Sequence, residues 1–253
     1  MQNNYNKLIN NLDELKLEQF KINIDNYLNF INEGSKSVID ALYELTRLEL
    51  NNKNERAKIA NVKVANFPFI KTFDDYDFDF QPSINKNQII DFKYLRFLEN
   101  KENILLIGPP GVGKSHLATS IGIEAATVRQ ITYFINCHDL VLQLKRAHLE
   151  NRLEQKLKTY AKYKVLIIDE VGYLPLDIES SNLLFQLITK RYEKNSTIIT
   201  TNKPLSRWGE IFGDNVIANA ILDRLLHHSH VININGRSYR TKDIIDSSDT
   251  NKN

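Results

Sequence analysis

A glycine-rich loop that ends in lysine and serine is the segment of this sequence with the clearest capacity for chemistry. Its eight residues are Gly108, Pro109, Pro110, Gly111, Val112, Gly113, Lys114 and Ser115. A glycine followed after four residues by Gly-Lys-Ser is the spacing of a loop that wraps the phosphates of a nucleotide. Gly108 and Gly113 would take backbone angles that a Cβ forbids, so that successive N–H groups face a phosphate. We therefore expect this phosphate loop to bind a nucleoside triphosphate.

Two side chains of the loop have roles in this interpretation. Lys114 would contact the β- and γ-phosphates, and the Ser115 hydroxyl would ligate Mg²⁺. The predicted binding segment also includes the next residue, His116. The apolar run 104–107 precedes the loop and the helix-compatible segment 117–126 follows it. This order of strand, loop and helix is the context the motif requires, and the helix adds the positive end of its dipole.

Two adjacent carboxylates, Asp169 and Glu170, follow the apolar run 164–168. The carboxyl end of a strand is where α/β proteins bind ligands, so Asp169 is placed to hold Mg²⁺. Glu170 is placed to orient and deprotonate an attacking water. The alternative is that the pair merely ends a strand in solvent. Its position downstream of the phosphate loop favours the catalytic interpretation, and therefore an ATPase.

A polar residue, Asn202, lies just beyond the next predicted strand, 196–200. There it could hydrogen-bond both the γ-phosphate and the attacking water, between the two motifs above. The alternative is a turn-forming asparagine before Lys203-Pro204.

From about residue 85, short apolar segments alternate with helical ones, which predicts an α/β fold with a parallel sheet and helices on both faces. The predicted strands are 103–107, 131–135, 164–168, 196–200 and 231–234. The predicted helices are 86–99, 114–128 and 179–192, and helical segments are predicted over 138–162.

The flanking segments have other compositions. Residues 1–66 have no proline and space their apolar residues as helices do, which predicts a small all-helical domain that contacts a partner or DNA, with a break at Gly34-Ser35. Residues 67–242 form the predicted ATPase domain. Within it, residues 67–90 alternate acidic and aromatic side chains, as a linker or as the base side of the nucleotide pocket. The polar tail 243–253 is predicted to be disordered.

The composition is that of a globular protein that is not embedded in a membrane. Of 253 residues, 42% are hydrophobic and 25% charged, and no apolar run approaches the roughly 20 residues that span a bilayer. A single cysteine, Cys137, and a polar start without a signal peptide favour a cytoplasmic location. Cys137 follows an apolar run and is expected in the core rather than as a nucleophile. The net charge of +2 does not by itself indicate nucleic acid.

A basic helical insert separates the second and third predicted strands. Between residues 139 and 164 it has seven lysines and arginines against three acidic residues, a local charge of +4. Such a face can neutralise DNA phosphates without reading bases. The alternative is an ordinary solvated amphipathic helix.

The phosphate loop, Asp169-Glu170 and Asn202, in this order, resemble the Walker A, Walker B and sensor 1 motifs of AAA+ ATPases. Longer segments are similar to the IstB family, helper ATPases of bacterial insertion sequences, whose clade includes DnaC-type helicase loaders. These segments are 78–83, 165–176, 200–208 and 220–228.

The resemblance implies an oligomeric AAA+ P-loop ATPase that uses ATP and Mg²⁺, binds double-stranded DNA largely without sequence preference and works with an IstA-type transposase. Arg224 matches the arginine that reaches the γ-phosphate of a neighbouring subunit, with a salt bridge to Asp223 as the alternative. Arg240 resembles a second phosphate-sensing arginine. The resemblance also places the basic insert in the path of DNA, and its candidate DNA contacts are Lys145, Arg146 and Arg152. In a helicase loader, the alternative function, the N-terminal domain would bind a helicase.

Overall fold

The computed structural model describes residues 4–242, so the predicted tail 243–253 lies outside the described residues. The chain divides into two compact units, Met1–Ala60 and Asn61–Asn253. Among the described residues we find no helix that is long and apolar enough to cross a bilayer.

The first unit consists of helices α1 (Asn4–Glu14), α2 (Glu18–Asn32) and the greater part of α3 (Val38–Val64). Its core contains Leu12, Phe20, Ile24 and Leu45. The start of α2 has no capping side chain of its own, and the buried Glu49 of α3 accepts from the backbone N–H of Gln19 at 2.7 Å instead. A carboxylate at this position satisfies a free donor and complements the helix dipole. The break at Gly34-Ser35 is confirmed, and Ser37 Oγ accepts from the Asp40 N–H at 3.1 Å at the start of α3.

The second unit is built on one parallel sheet, as predicted. Its strands are β1 (Asn103–Ile107), β2 (Thr132–Asn136), β3 (Val165–Val171), β4 (Ser196–Thr201) and β5 (Ser229–Asn233). They lie in the order β2-β3-β4-β1-β5. β4 therefore pairs with both β1 and β3, and the ends of these three strands meet at one edge of the sheet.

Helices cover both faces of this sheet because consecutive strand residues are apolar, so that both faces carry apolar side chains. In β1, Ile104 and Leu106 pack on one core layer, while Leu105 and Ile107 pack on the other. This period of two is the strand repeat, and apolar side chains on both faces require cover on both. The helices of this unit are α4 (Lys86–Asp91), α5 (Arg96–Glu99), α6 (Lys114–Thr127), α7 (Cys137–Leu149), α8 (Leu153–Lys162), α9 (Ile178–Arg191), α10 (Trp208–Phe212) and α11 (Asn215–Leu226).

Some of the element predictions differ from the structure. The single helix predicted at 86–99 is interrupted, because Leu95 takes a left-handed φ of 57° between α4 and α5. The helical segments predicted over 138–162 are the two helices α7 and α8, which are separated at Asn151 with a φ of 55°. The helices α10 and α11 were not predicted, and β5 begins at Ser229, two residues before its predicted start.

The last residues of α3 and those after it belong to the second unit. The Ala65 carbonyl accepts from the Phe134 N–H of β2 at 2.8 Å. The Asn66 side-chain amide donates to the Phe134 carbonyl at 3.0 Å. These bonds tie the segment to the edge strand, so the division between the units falls at residue 60, whereas the sequence placed the domain boundary at 66.

Candidate nucleotide-binding site

The phosphate loop joins β1 to α6, and its glycines are required for two different reasons. Gly113 is the residue before α6 and has a left-handed φ of 92°, as expected. Gly111 is also left-handed, with a φ of 83°. The expectation for Gly108 was wrong, because its backbone is not left-handed. Gly108 is required by close packing instead, since a Cβ there would lie 2.3 Å from the Ile234 carbonyl oxygen.

Lys114 begins α6 and turns back onto the loop. Its Nζ donates to the carbonyl oxygens of Gly108 at 2.8 Å and Pro109 at 2.7 Å. Burial lowers the pKa of this ammonium, while the charge of Asp169 opposes the shift. An ammonium group that hydrogen-bonds carbonyl oxygens of the phosphate loop is placed to exchange these partners for phosphate oxygens when a nucleotide binds.

Ser115 and Asp169 meet at the edge of the sheet. The Ser115 hydroxyl lies 2.9 Å from both carboxylate oxygens of Asp169. Burial raises the pKa of Asp169, against the hydrogen bonds from Thr200 and Ser115 that lower it. A hydroxyl and a carboxylate are oxygen ligands of the kind that Mg²⁺ takes beside nucleotide phosphates, so this pair fits the metal.

Glu170 is held in an uncommon backbone conformation at an irregularity of β3. Its φ is 60°, and the register between β3 and β4 shifts between Ile168 and Val171. The Glu170 N–H donates to Thr200 Oγ1 at 2.9 Å, and Thr200 Oγ1 in turn donates to Asp169. Asn136, at the end of β2, donates from Nδ2 to Glu170 Oε2 at 2.6 Å. A left-handed non-glycine residue held by such bonds is typical of functional sites.

Thr200 and Asn136 were not predicted as site residues. Both lie at the carboxyl end of a strand, on β4 and β2. The reasoning that selected Asp169 and Asn202, polar side chains at that edge of a parallel sheet, would also have found them.

Asn202 directly follows β4 and therefore lies between the ends of β1 and β3. Its Oδ1 is buried and has no hydrogen-bond partner within residues 4–242. An unpaired buried oxygen is costly, so this atom calls for a ligand or water as its partner. The position agrees with the predicted place between the phosphate loop and the carboxylates.

A cavity of about 380 Å³ is lined on one side by Asn202, Glu170, Thr200 and much of the phosphate loop. Its other wall comes from the segment 67–90, through Phe69, Lys71, Asp75, Tyr76, Asp77 and Gln81. Tyr76 is buried, and its hydroxyl donates to the Val112 carbonyl at 2.9 Å. The segment is therefore more than a linker, because it both packs into the core and lines the cavity.

His116 also lines this cavity and binds the same segment. Its Nε2 lies 2.8 Å from the Thr72 carbonyl, and its ring meets that of Tyr76 edge to face at 5.3 Å. Burial lowers the pKa of His116. The neutral ring therefore joins α6 to the segment 67–90.

The end of the described chain returns to the phosphate loop. The Tyr239 N–H donates to the Gly111 carbonyl at 2.9 Å, and Arg240 lines the cavity from this turn. Arg240 is exposed, and its charge adds to the lowering of the Lys114 pKa. The structure thus brings Arg240 and the phosphate loop of one chain together.

Arg224 is not among the described residues that line this cavity. It lies near the end of α11, where its Nη1 donates to the Ala220 carbonyl at 2.8 Å. Its guanidinium stacks over the Phe185 ring of α9 at 4.8 Å. It is therefore placed outside the site of its own chain.

The three candidate DNA contacts have different surroundings. Lys145 is ion-paired with Asp177 and lies 3.9 Å from Glu179. Its hydrogen bond is the largest cause that holds the pKa of Asp177 well below the ordinary range. Arg146 and Arg152 are more exposed, and both pair with Glu150. These two arginines and the nearby Lys156 line a groove between α7 and α8.

The sheet order, with a phosphate loop after β1 and paired carboxylates near the end of β3, defines a P-loop protein of the AAA+ class. Solved structures agree with this fold. DnaA from Aquifex aeolicus has a TM-score of 0.58 at 13% identity, covering 73% of this chain and 56% of that chain. The DnaC helicase loader has a TM-score of 0.51 at 28% identity, covering 59% of this chain and 87% of that chain.

The chain belongs to the family described as IstB-like ATP binding protein, whose sequence model matches residues 10–247. A protein named for its ATP binding in insertion sequence IS232 of Bacillus thuringiensis subsp. berliner is 54% identical, over 96% of this chain and 97% of that protein. A protein with the corresponding name in insertion sequence IS21 of Pseudomonas aeruginosa is 41% identical, over 92% of this chain and 88% of that protein.

Proposed function

We propose that this protein hydrolyses ATP to ADP and phosphate with Mg²⁺ and acts on DNA as an ATP-dependent helper of an insertion-sequence transposase. The observation that carries the hydrolysis is the hydrogen-bonded group of Ser115, Asp169, Thr200 and Glu170 at one wall of the nucleotide cavity. It joins the metal ligands to the base in one rigid unit. Rigid placement is what phosphoryl transfer requires of a protein.

Each residue has a role in this mechanism. Loop N–H groups and Lys114 would bind the β- and γ-phosphates, while Ser115 and Asp169 would hold Mg²⁺, which would neutralise charge on the phosphates. Glu170 accepts a proton from the attacking water as general base. Asn202, through its unpaired Oδ1, orients that water.

A second subunit completes the site in this proposal. Arg224 lies outside the cavity of its own chain, and its guanidinium is presented on the Phe185 ring rather than paired with Asp223. An arginine that enters a neighbour's site would stabilise the charge that develops on the γ-phosphate. ATP binding would then favour oligomers, while Arg240 senses the phosphates of its own chain.

The DNA contacts are proposed on the groove between α7 and α8. Arg146 and Arg152 are exposed there, with side chains 81% and 65% accessible. Lys145 is a weaker contact in this proposal, because it is 27% accessible and paired with Asp177. Binding would depend on phosphates, show little sequence preference and weaken steeply with salt.

The insertion-sequence names of the relatives support an IstA-type transposase as partner and a role in target-site selection. The likeness to the DnaC helicase loader supports a second candidate function, the loading of a replicative helicase. The two differ in what they activate. Stimulation of strand transfer by the purified cognate transposase supports the first, and loading of a helicase ring onto DNA supports the second.

Two variants test the nucleotide chemistry. Glu170→Gln should bind ATP as the wild type does but hydrolyse it at least about 100-fold more slowly, because it loses the base. Lys114→Ala should lose nucleotide binding itself. Glu99→Gln, an exposed residue of α5, is the matched control and should hydrolyse normally. Normal turnover by Glu170→Gln would refute the assigned base.

A further inference from the structure

Two histidines and a glutamate meet on the surface, outside the nucleotide cavity. Glu193 lies in the turn between α9 and β4, while His227 and His228 lie in the turn between α11 and β5. One ligand atom from each lies within 4.8 Å of the other two. All three residues are exposed, so an ion can reach them from solvent.

The separations of these atoms fit a tetrahedral ion. Glu193 Oε1 is 3.6 Å from His227 Nδ1 and 3.9 Å from His228 Nε2. With metal–ligand bonds of about 2.0–2.1 Å, neighbouring ligands of tetrahedral zinc lie about 3.3 Å apart. Small rotations of exposed side chains would therefore bring the three atoms to coordinating distance.

We propose that Glu193, His227 and His228 form a zinc-binding site, with the fourth position left to water. Two imidazoles and one carboxylate are a borderline nitrogen and oxygen set, which suits Zn²⁺ better than Mg²⁺ or Ca²⁺. The Tyr192 hydroxyl lies 2.8 Å from His227 Nδ1. Binding exchanges this hydrogen bond for a coordinate bond, so Tyr192 is a competitor and not a required ligand.

The site links two elements that are distant in sequence. Glu193 follows α9, which carries Phe185, and His227 directly follows α11, which carries Arg224. A zinc ion would cross-link the ends of these two helices. An ion that binds only the folded chain raises its melting temperature, and this stabilisation is a second measurable consequence.

The test is a zinc titration of the full chain by calorimetry, after removal of any histidine tag and without nucleotide, which chelates metals. The wild type should bind one zinc ion. His227→Gln, His228→Gln and Glu193→Gln should each bind at least about tenfold more weakly, because each loses a ligand. His148→Gln, which removes an exposed histidine of α7, is the matched control and should bind as the wild type does.

Two further measurements make the result decisive. Zinc should raise the melting temperature of the wild type and of His148→Gln but not of His228→Gln. Co²⁺ bound at this site should show the visible absorption of tetrahedral cobalt, and added zinc should displace the Co²⁺ and abolish that absorption. The proposal is overturned if the wild type binds no zinc, or if the three variants bind it as tightly as the control.

Discussion

The Thr200 hydroxyl offers a sharp test of how the site is held together, since it connects Asp169, the proposed metal ligand, to Glu170, the proposed base. It accepts from the Glu170 N–H at 2.9 Å and donates to the Asp169 carboxylate. Thr200→Val keeps the shape of the side chain and removes both bonds. Because Thr200 is fully buried, water cannot replace them.

The magnitude follows from these two bonds. A neutral hydrogen bond contributes about 1 kcal/mol and one to a charged group about 2 kcal/mol, so the variant should lose about 3 kcal/mol of stability. Glu170 would also lose a bond that stabilises its left-handed backbone. A base displaced by about 1 Å costs roughly 100-fold in rate.

The assay combines chemical denaturation with single-turnover ATP hydrolysis. Thr201→Val is the matched control, because Thr201 is equally buried and its Oγ1 accepts from the Lys203 N–H at 3.1 Å, away from the carboxylates. Both variants should be destabilised, but only Thr200→Val should hydrolyse slowly. Equal rates for the two variants would refute the view that Thr200 positions Glu170.

Three other changes give separate readouts. Glu150→Gln should tighten duplex DNA binding roughly two- to fivefold, because it frees Arg146 and Arg152. Glu210→Gln frees Arg207, which lies outside the insert, and should leave DNA binding unchanged; titrations with DNA at several salt concentrations measure both variants. Phe185→Leu should lower the rate of DNA-stimulated ATP hydrolysis about threefold without changing ATP affinity, whereas Phe185→Tyr should keep the wild-type rate, since a tyrosine ring still supports Arg224. Unchanged hydrolysis in the leucine variant would contradict the stacking role. Burial lowers the pKa of His116, so the unfolded chain takes up the proton first and stability should fall as the pH drops through about 6.5. The melting temperature should therefore fall less between about pH 7.5 and about pH 5.5 in His116→Gln than in the wild type, and an equal fall would contradict this.

The sheet and the phosphate loop were predictable because each has a strong local signal. The runs 103–107 and 164–168 are apolar throughout, as strands buried on both faces must be, and the structure confirms strands there. The loop spacing and the carboxylates after the apolar run 164–168 needed no tertiary information. The single helix predicted at 86–99 was wrong, because nothing in the sequence marks the left-handed turn at Leu95.

The connections across the site were less predictable because they depend on strand order. Asn136 and Glu170 are 34 residues apart and meet only because β2 and β3 are neighbours. The contact of Tyr239 with Gly111 likewise depends on β5 lying beside β1. The pairing of Arg146 and Arg152 with Glu150 depends on side-chain positions at the turn between α7 and α8, which a count of charges does not resolve.

In the proposed function, ATP drives this protein to assemble on DNA. Light scattering on mixtures of the protein with duplex DNA, with and without ATP, measures this directly, and Lys114→Ala is the control that cannot respond to nucleotide. We predict a mass well above that of one subunit on DNA only when ATP is present, and no such increase for the variant. A mass that is the same with and without ATP would refute nucleotide-driven assembly.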